Sequence, residues 1–252
     1  MPRLLALLAT VCVPLLSLTA AEPFRESFDG RFTSWQPATN SPDVQVASHV
    51  RRPEAGREGG GEELRIESRR EAIPATWEHA LPPAKVLDEL TASVSVQSDH
   101  PGWVLAVRII VSGVIDPETG KPVELVLPGE VYRDAGQWQT LKCRTSDKEI
   151  RQRIVLLRAR FPGVTDVGEI YVDRAILACH MPLGRSSLMI DDLQLVPVVT
   201  PKAAVTATEG VQSASTEPPV TFQLDRLQVA ERPFFPRMVR YHGEPPEVLK
   251  RA

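Results

Sequence analysis

From Phe24 to about Val199 the chain alternates short strand-like runs with clusters of turn residues, and this pattern leaves little choice of fold. Residues 44–50 read Val-Gln-Val-Ala-Ser-His-Val, and residues 63–68 read Glu-Leu-Arg-Ile-Glu-Ser. Strict alternation sends every second side chain to one face, which marks a half-buried strand. Similar runs follow at Thr76–Leu81, Leu90–Val96, Trp103–Val111, Trp138–Cys143, Ile154–Phe161, Ile170–Val172 and Ser187–Val196. The spacing predicts roughly nine or ten strands and no long helix. The 23 prolines point the same way, because each removes a backbone donor that a helix needs. Strands without helices bury their apolar faces by stacking sheets. The expected fold is therefore all-β, a two-layer antiparallel β-sandwich of jelly-roll type, with a short irregular C-terminal extension.

The breaks between runs carry turn chemistry. Arg57–Glu62 contains three consecutive glycines and reads as a flexible loop. Asp116–Pro122 combines Pro117 with Gly120 in a hairpin-like connection, and Asp134–Gln137 is a second turn around Gly136. Pro82–Glu89 reads as one short helical turn between sheets.

Both ends differ from this central body. Residues 1–21 form an export signal: Arg3 supplies the positive charge, Leu4–Leu18 the apolar run, and Thr19-Ala20-Ala21 the small residues for cleavage before Glu22. The run is short for a membrane span, so an uncleaved anchor is the alternative. An exported protein, periplasmic or extracellular, with no membrane association after cleavage, is expected. Residues 22–199 form the sandwich. Residues 200–219 are small, polar and proline-punctuated, and read as a disordered linker. Residues 220–252 read as an incomplete second-domain start or tail.

The net charge of −3 argues against nucleic-acid binding, which calls for a basic excess. Arginines do cluster, as Arg51-Arg52, Arg69-Arg70, Arg151 with Arg153 and Arg158 with Arg160. Read on strands, the last two pairs make cationic stripes, either a solvated face or a surface for an anionic glycan. Cys143 and Cys179 remain after removal of the leader. In an oxidising compartment they form either a disulfide or two buried thiols. His49, His79, His100 and His180 are scattered, and no serine or cysteine nucleophile stands in a triad context. No catalytic residue is assigned.

Phe24-Arg25-Glu26-Ser27-Phe28-Asp29-Gly30, closed by Trp35, opens the body, and Leu188-Met189-Ile190-Asp191-Asp192-Leu193-Gln194-Leu195 closes it. Together these segments resemble the first and last strands of galactose-binding-like jelly rolls, the architecture of many carbohydrate-binding modules. That resemblance implies paired terminal strands, a structural Ca²⁺ near them and a polysaccharide or glycan partner. Glu26 and Asp191 would then supply hard oxygen ligands. By alternation Asp191 shares the inward face of Met189, Leu193 and Leu195, while Asp192 faces solvent; a hydrogen-bonded or salt-bridged Asp191 is the alternative to calcium. A sugar site needs rings for stacking and planar polar groups for hydroxyls. The candidates are Trp77, Trp103, Tyr132, Trp138 and Arg108, although for any one ring core or edge packing is the favoured alternative.

Arg232–Glu244, followed by Val248–Ala252, resembles the opening of a glycoside-hydrolase-type (β/α)₈ barrel. The resemblance implies that Arg240, His242 and Glu244 would lie at a strand end beside a substrate pocket. Three readings of function follow: a non-catalytic, carbohydrate-binding-like accessory module of a larger glycan-processing protein; a glycoside hydrolase lacking its barrel; and a structural or protein-interaction sandwich.

Overall fold

The computed structural model describes residues 23–38 and 41–204, and the backbone of 220–223, 226–229 and 232–233. The expected leader and most of the linker lie outside the described residues. The chain divides into two compact units, one ending at Val205 and one beginning at Thr206.

The first unit is the expected two-layer antiparallel β-sandwich. One sheet is six-stranded, built from β1 (Phe24–Glu26), β3 (Val44–Arg52), β4 (Gly61–Ser68), β6 (Thr91–Ser98), β9 (Gln139–Arg144) and β11 (Gly184–Val196). The other holds β2 (Gln36–Pro37), β5 (Ile73–Lys85), β7 (Val104–Ile115), β8 (Pro122–Val131) and β10 (Ile170–Met181), in the order β2-β5-β10-β7-β8. The terminal strands pair, with Phe24 opposite Leu195 and Glu26 opposite Leu193. β11 serves β4 through Gly184–Ile190 and β1 through Leu193–Leu195.

Alternation works as expected on most strands. Leu64 and Ile66 of β4, Leu188 and Ile190 of β11, and Val107 and Ile109 of β7 are buried in one core between the sheets. At one side the sheets close where β8 meets β9. A Cβ on Gly129 would lie 2.4 Å from the Lys142 carbonyl oxygen, so only glycine permits this approach. Gly136 takes φ 81° in the turn before β9.

Two expectations fail. Ile154–Phe161 is not a strand. It belongs to α1, Asp147–Arg160, the one long helix of the described residues. Ser146 caps it by accepting the Glu149 amide at 3.3 Å, and Ser146 Oγ donates back to the Glu149 carboxylate at 3.2 Å. This Ser-x-x-Glu cap satisfies one of the amides that a helix start leaves free. Ile150 and Leu157, seven residues apart, are its buried positions. Helical spacing regroups the arginines: Arg153 shares a face with Arg160 rather than with Arg151. The helical turn expected in Pro82–Glu89 is also absent, because β5 continues to Lys85.

In the second unit, β12 (Val220–Gln223), β13 (Arg226–Val229) and β14 (Arg232–Pro233) form an antiparallel three-stranded sheet. Consecutive antiparallel strands are not the strand–helix–parallel-strand unit of a barrel. Arg240, His242 and Glu244 lie outside the described residues.

Candidate functional site

The outer face of the five-stranded sheet gathers planar polar groups around Arg108. Its neighbours Val107 and Ile109 are buried in the core, so Arg108 points outward. Across the sheet it stands beside Arg174 of β10 and Val126 of β8. A bulge between Val172 and Arg174 adds Asp173 to this face.

Asp173 meets Arg108 as a fork, accepting from Nε at 2.8 Å and from Nη2 at 2.5 Å. Arg108 Nη1 also donates to Glu124 of β8 at 3.3 Å. Arg174 reaches Glu78 of β5 at 3.2 Å. The fork holds the Arg108 pKa above its usual value, chiefly through the Asp173 hydrogen bonds and against the effect of burial. Tyr171, opposite Ile110, is half-buried on the same face. Burial first, and the Asp173 charge second, raise its pKa. Beside the charged row run Ile176, Ala106 and Pro128. Of these, Ile176 and Ala106 are buried and Pro128 is exposed. The result is a face with fixed carboxylates and guanidinia beside one phenol ring, which can exchange hydrogen bonds with ring hydroxyls. It places no nucleophile beside a base.

Of the residues expected to bind carbohydrate, only Arg108 lies on this face. Trp77 and Trp103 are core residues, packed together with ring centroids 5.7 Å apart. Tyr132 is wholly buried, and its hydroxyl donates to the Gln137 carbonyl at 2.8 Å and accepts the Ser98 amide at 3.1 Å. These three rings cannot stack on a sugar, and the reason is positional. Each falls on the inward phase of its strand or at a core-closing corner, where a large ring fills volume. Trp138 is half-buried beside β9 in the other sheet. Tyr171 was the missed aromatic. Its outward phase follows from the buried Val172, but the run Ile170–Val172 alone was too short to show it.

Asp191 also departs from expectation. A bulge at Asp191–Asp192, with Asp192 at φ 49°, shifts the alternation of β11 by one residue. Leu188 and Ile190 before it, and Leu193 and Leu195 after it, all point inward. Asp191 therefore leaves the core and is covered by the loop between β3 and β4. Its Oδ2 accepts the amides of Arg57 at 2.8 Å and Glu58 at 3.2 Å, and its Oδ1 accepts the Asp192 amide at 2.7 Å. Glu26 accepts the Phe28 amide at 3.1 Å. Three amides fill most of the lone pairs that Ca²⁺ would use. Among the described residues no group of three or more His, Cys, Asp or Glu side chains gathers to hold a metal. In this arrangement both carboxylates are engaged by backbone amides.

Of the two readings of the cysteines, the structure has the second, two buried free thiols. Cys143 lies on β9 and Cys179 on β10, in opposite sheets. Burial pushes the Cys143 thiol up to about 12 and the Cys179 thiol up to about 11. One constellation was invisible in the sequence: Cys179 Sγ lies 3.5 Å from His100 Nε2, and His100 Nδ1 lies 3.0 Å from Asp99. The order resembles that of a nucleophile, base and orienter. A thiol 5% exposed, with burial pushing it up to about 11, favours the protonated form at neutral pH, whereas a nucleophile is the thiolate.

No family model and no curated protein matches this chain. Solved structures do resemble it. The family 11 carbohydrate-binding module from Clostridium thermocellum, in complex with a β-1,3-1,4-mixed-linked tetrasaccharide, is 11% identical with a TM-score of 0.39, over 70% of this chain and 95% of that one. The CBM22-1 xylan-binding domain from Paenibacillus barcinonensis Xyn10C is 14% identical with a TM-score of 0.42, over 72% and 97%. The family 30 module of a Clostridium thermocellum cellulosomal cellulase is 8% identical with a TM-score of 0.39, over 71% and 99%. Among the described residues no helix is long and apolar enough to cross a membrane.

Proposed function

We propose that the chain is an exported, non-catalytic glycan-binding accessory module of a larger glycan-processing protein, and that it binds through the outer face of its five-stranded sheet. The observation that carries this reading is the Arg108–Asp173 fork, flanked by Glu124, Arg174, Glu78 and Tyr171. Ion pairs fixed in this way are already oriented, so a ligand meets donors and acceptors that cost little to arrange. The half-buried Tyr171 and the exposed Pro128 offer the contact that a sugar's carbon face seeks. The Leu4–Leu18 run supports export.

Isothermal titration of the full chain against soluble polysaccharides tests the proposal. Binding is expected, and Arg108→Ala is expected to weaken it at least tenfold, since about 1.4 kcal/mol corresponds to each tenfold step. Binding by no polysaccharide, or unchanged binding by a folded Arg108→Ala variant, rejects it.

A further inference from the structure

A cationic groove borders this face where β8 meets α1. Val123, Glu124, Arg160 and Phe161 line both of its parts, which have volumes of about 200 Å³ and 350 Å³. Arg153 and Leu157 complete the smaller part, and Lys121 and Thr119 the larger. Helical spacing is what brings Arg153 and Arg160 to the same groove, two turns apart on α1.

The lining carries three cations, Arg153, Arg160 and Lys121, against two carboxylates, Glu124 and Asp116, an excess of one positive charge. Among the described residues, Arg153, Arg160 and Lys121 have no carboxylate within ion-pair distance, although Arg153 is half-buried. Glu124 is engaged by Arg108. Asp116, at the far end, accepts the Glu118 amide at 2.9 Å. The Arg160 guanidinium lies over the Phe161 ring, 5.3 Å from its centroid. A planar guanidinium matches a carboxylate or sulfate with two parallel hydrogen bonds. Glu124 belongs to both the groove and the Arg108 network, so one ligand can span the two.

We infer that this groove selects glycans carrying an anionic group, a carboxylate or a sulfate, and that Arg153 and Arg160 are its ligands. The inference rests on the glycan-binding reading of the neighbouring face.

The test measures retention of the full chain in gels containing polygalacturonate, a sulfated galactan or a neutral β-glucan. Binding to at least one anionic polymer is expected, weakening as salt rises because exposed charges are screened. Polygalacturonate and the galactan distinguish carboxylate from sulfate. Arg153→Ala/Arg160→Ala should lose anionic binding at least tenfold with neutral binding unchanged, and Arg153→Lys/Arg160→Lys should recover part of it. Alanine favours helix, so α1 is expected to survive, and a matched melting temperature checks this. Retention of neutral polymers but of neither anionic one overturns the inference while leaving the glycan-binding reading intact. Anionic binding unaffected by either double variant also overturns it. Binding to no polymer overturns both.

Discussion

The Glu62 carboxylate on β4 accepts the backbone amide of Trp35 at 3.0 Å, and this bond fastens the opening segment over one end of the core. Glu62 is fully buried and also accepts from the Ser34 amide at 2.9 Å and from His49 Nε2 at 2.5 Å, with Arg51 3.4 Å away. Arg51 in turn lies over Phe28, 4.5 Å from the ring centroid, where Phe28 takes a left-handed φ of 57°. One charge thus organises the entry of the chain. Burial is the largest influence on Glu62 and raises its pKa, but His49, Ser34, Trp35 and Arg51 together outweigh it and hold the group below the usual range. Removing a partner from a buried ionic cluster leaves the others unpaired. Glu62→Ala is expected to cost about 3–5 kcal/mol. Urea denaturation checks this through a lower midpoint at unchanged slope.

The same end of the core makes stability fall in acid. His79 is buried among Phe24, Phe28 and Trp35, and neither ring nitrogen has a hydrogen-bond partner. Burial lowers its pKa from 6.5. The unfolded chain then binds a proton that the folded chain refuses, so stability decreases as pH drops below about 6.5. Glu62, with its depressed pKa, adds stability that is complete above its unfolded value near 4.5 and is lost as pH falls through its folded value. Melting curves should show a first decline below neutrality and a steeper one below about 4.5. His79→Phe should remove the first decline and keep the second. A flat profile between neutral and mildly acid pH would count against the His79 account.

The sandwich was legible in the sequence because alternation is a local signal, as in Leu64 and Ile66 or Val107 and Ile109. The helix was not, because Ile154–Phe161 reads as a strand-like apolar run. Only the Ser146-x-x-Glu149 box and the seven-residue step from Ile150 to Leu157 distinguish the two. The site was less legible still. Which face a tryptophan takes depends on one residue of phase, and bulges change that phase: the one at Asp191–Asp192 reversed it for Asp191, and the one after Val172 put Asp173 beside Arg108. Long-range pairs such as Cys179 with His100 depend on strand order, which spacing does not encode.

The thiols give a direct chemical test. Cys143 and Cys179 sit in opposite sheets, and burial keeps both protonated at neutral pH. In a chain beginning at Glu22 a thiol reagent such as dithionitrobenzoate should find almost no reactive cysteine in the native state and two after denaturation without reductant. A count of zero after denaturation would mean that a disulfide had formed.

Trp103 separates core from ligand. It is wholly buried against Trp77, and its Nε1 donates to Ser98 Oγ at 3.1 Å. Trp103→Phe should therefore destabilise the fold through a smaller ring and a lost hydrogen bond, and Trp103→Ala by about 3–5 kcal/mol. Glycan affinity of the folded Trp103→Phe protein should stay within a factor of about two, an effect below 0.5 kcal/mol. A tenfold loss of affinity at full stability would instead place this ring in contact with the ligand.

Calcium should have little to do at the paired terminal strands. Asp191 already accepts amides from Arg57, Glu58 and Asp192, and Asp192 is tied to Arg25 at 2.8 Å and to Gln194 at 2.9 Å. An ion binding there would have to displace these donors. Melting temperatures in chelator and in millimolar Ca²⁺ should therefore coincide. Asp191→Asn, which weakens acceptance from the amides of Arg57 and Glu58, should lower the melting temperature equally in both solutions. A stabilisation by Ca²⁺ that Asp191→Asn abolishes would show that the loop between β3 and β4 exchanges its amides for the ion.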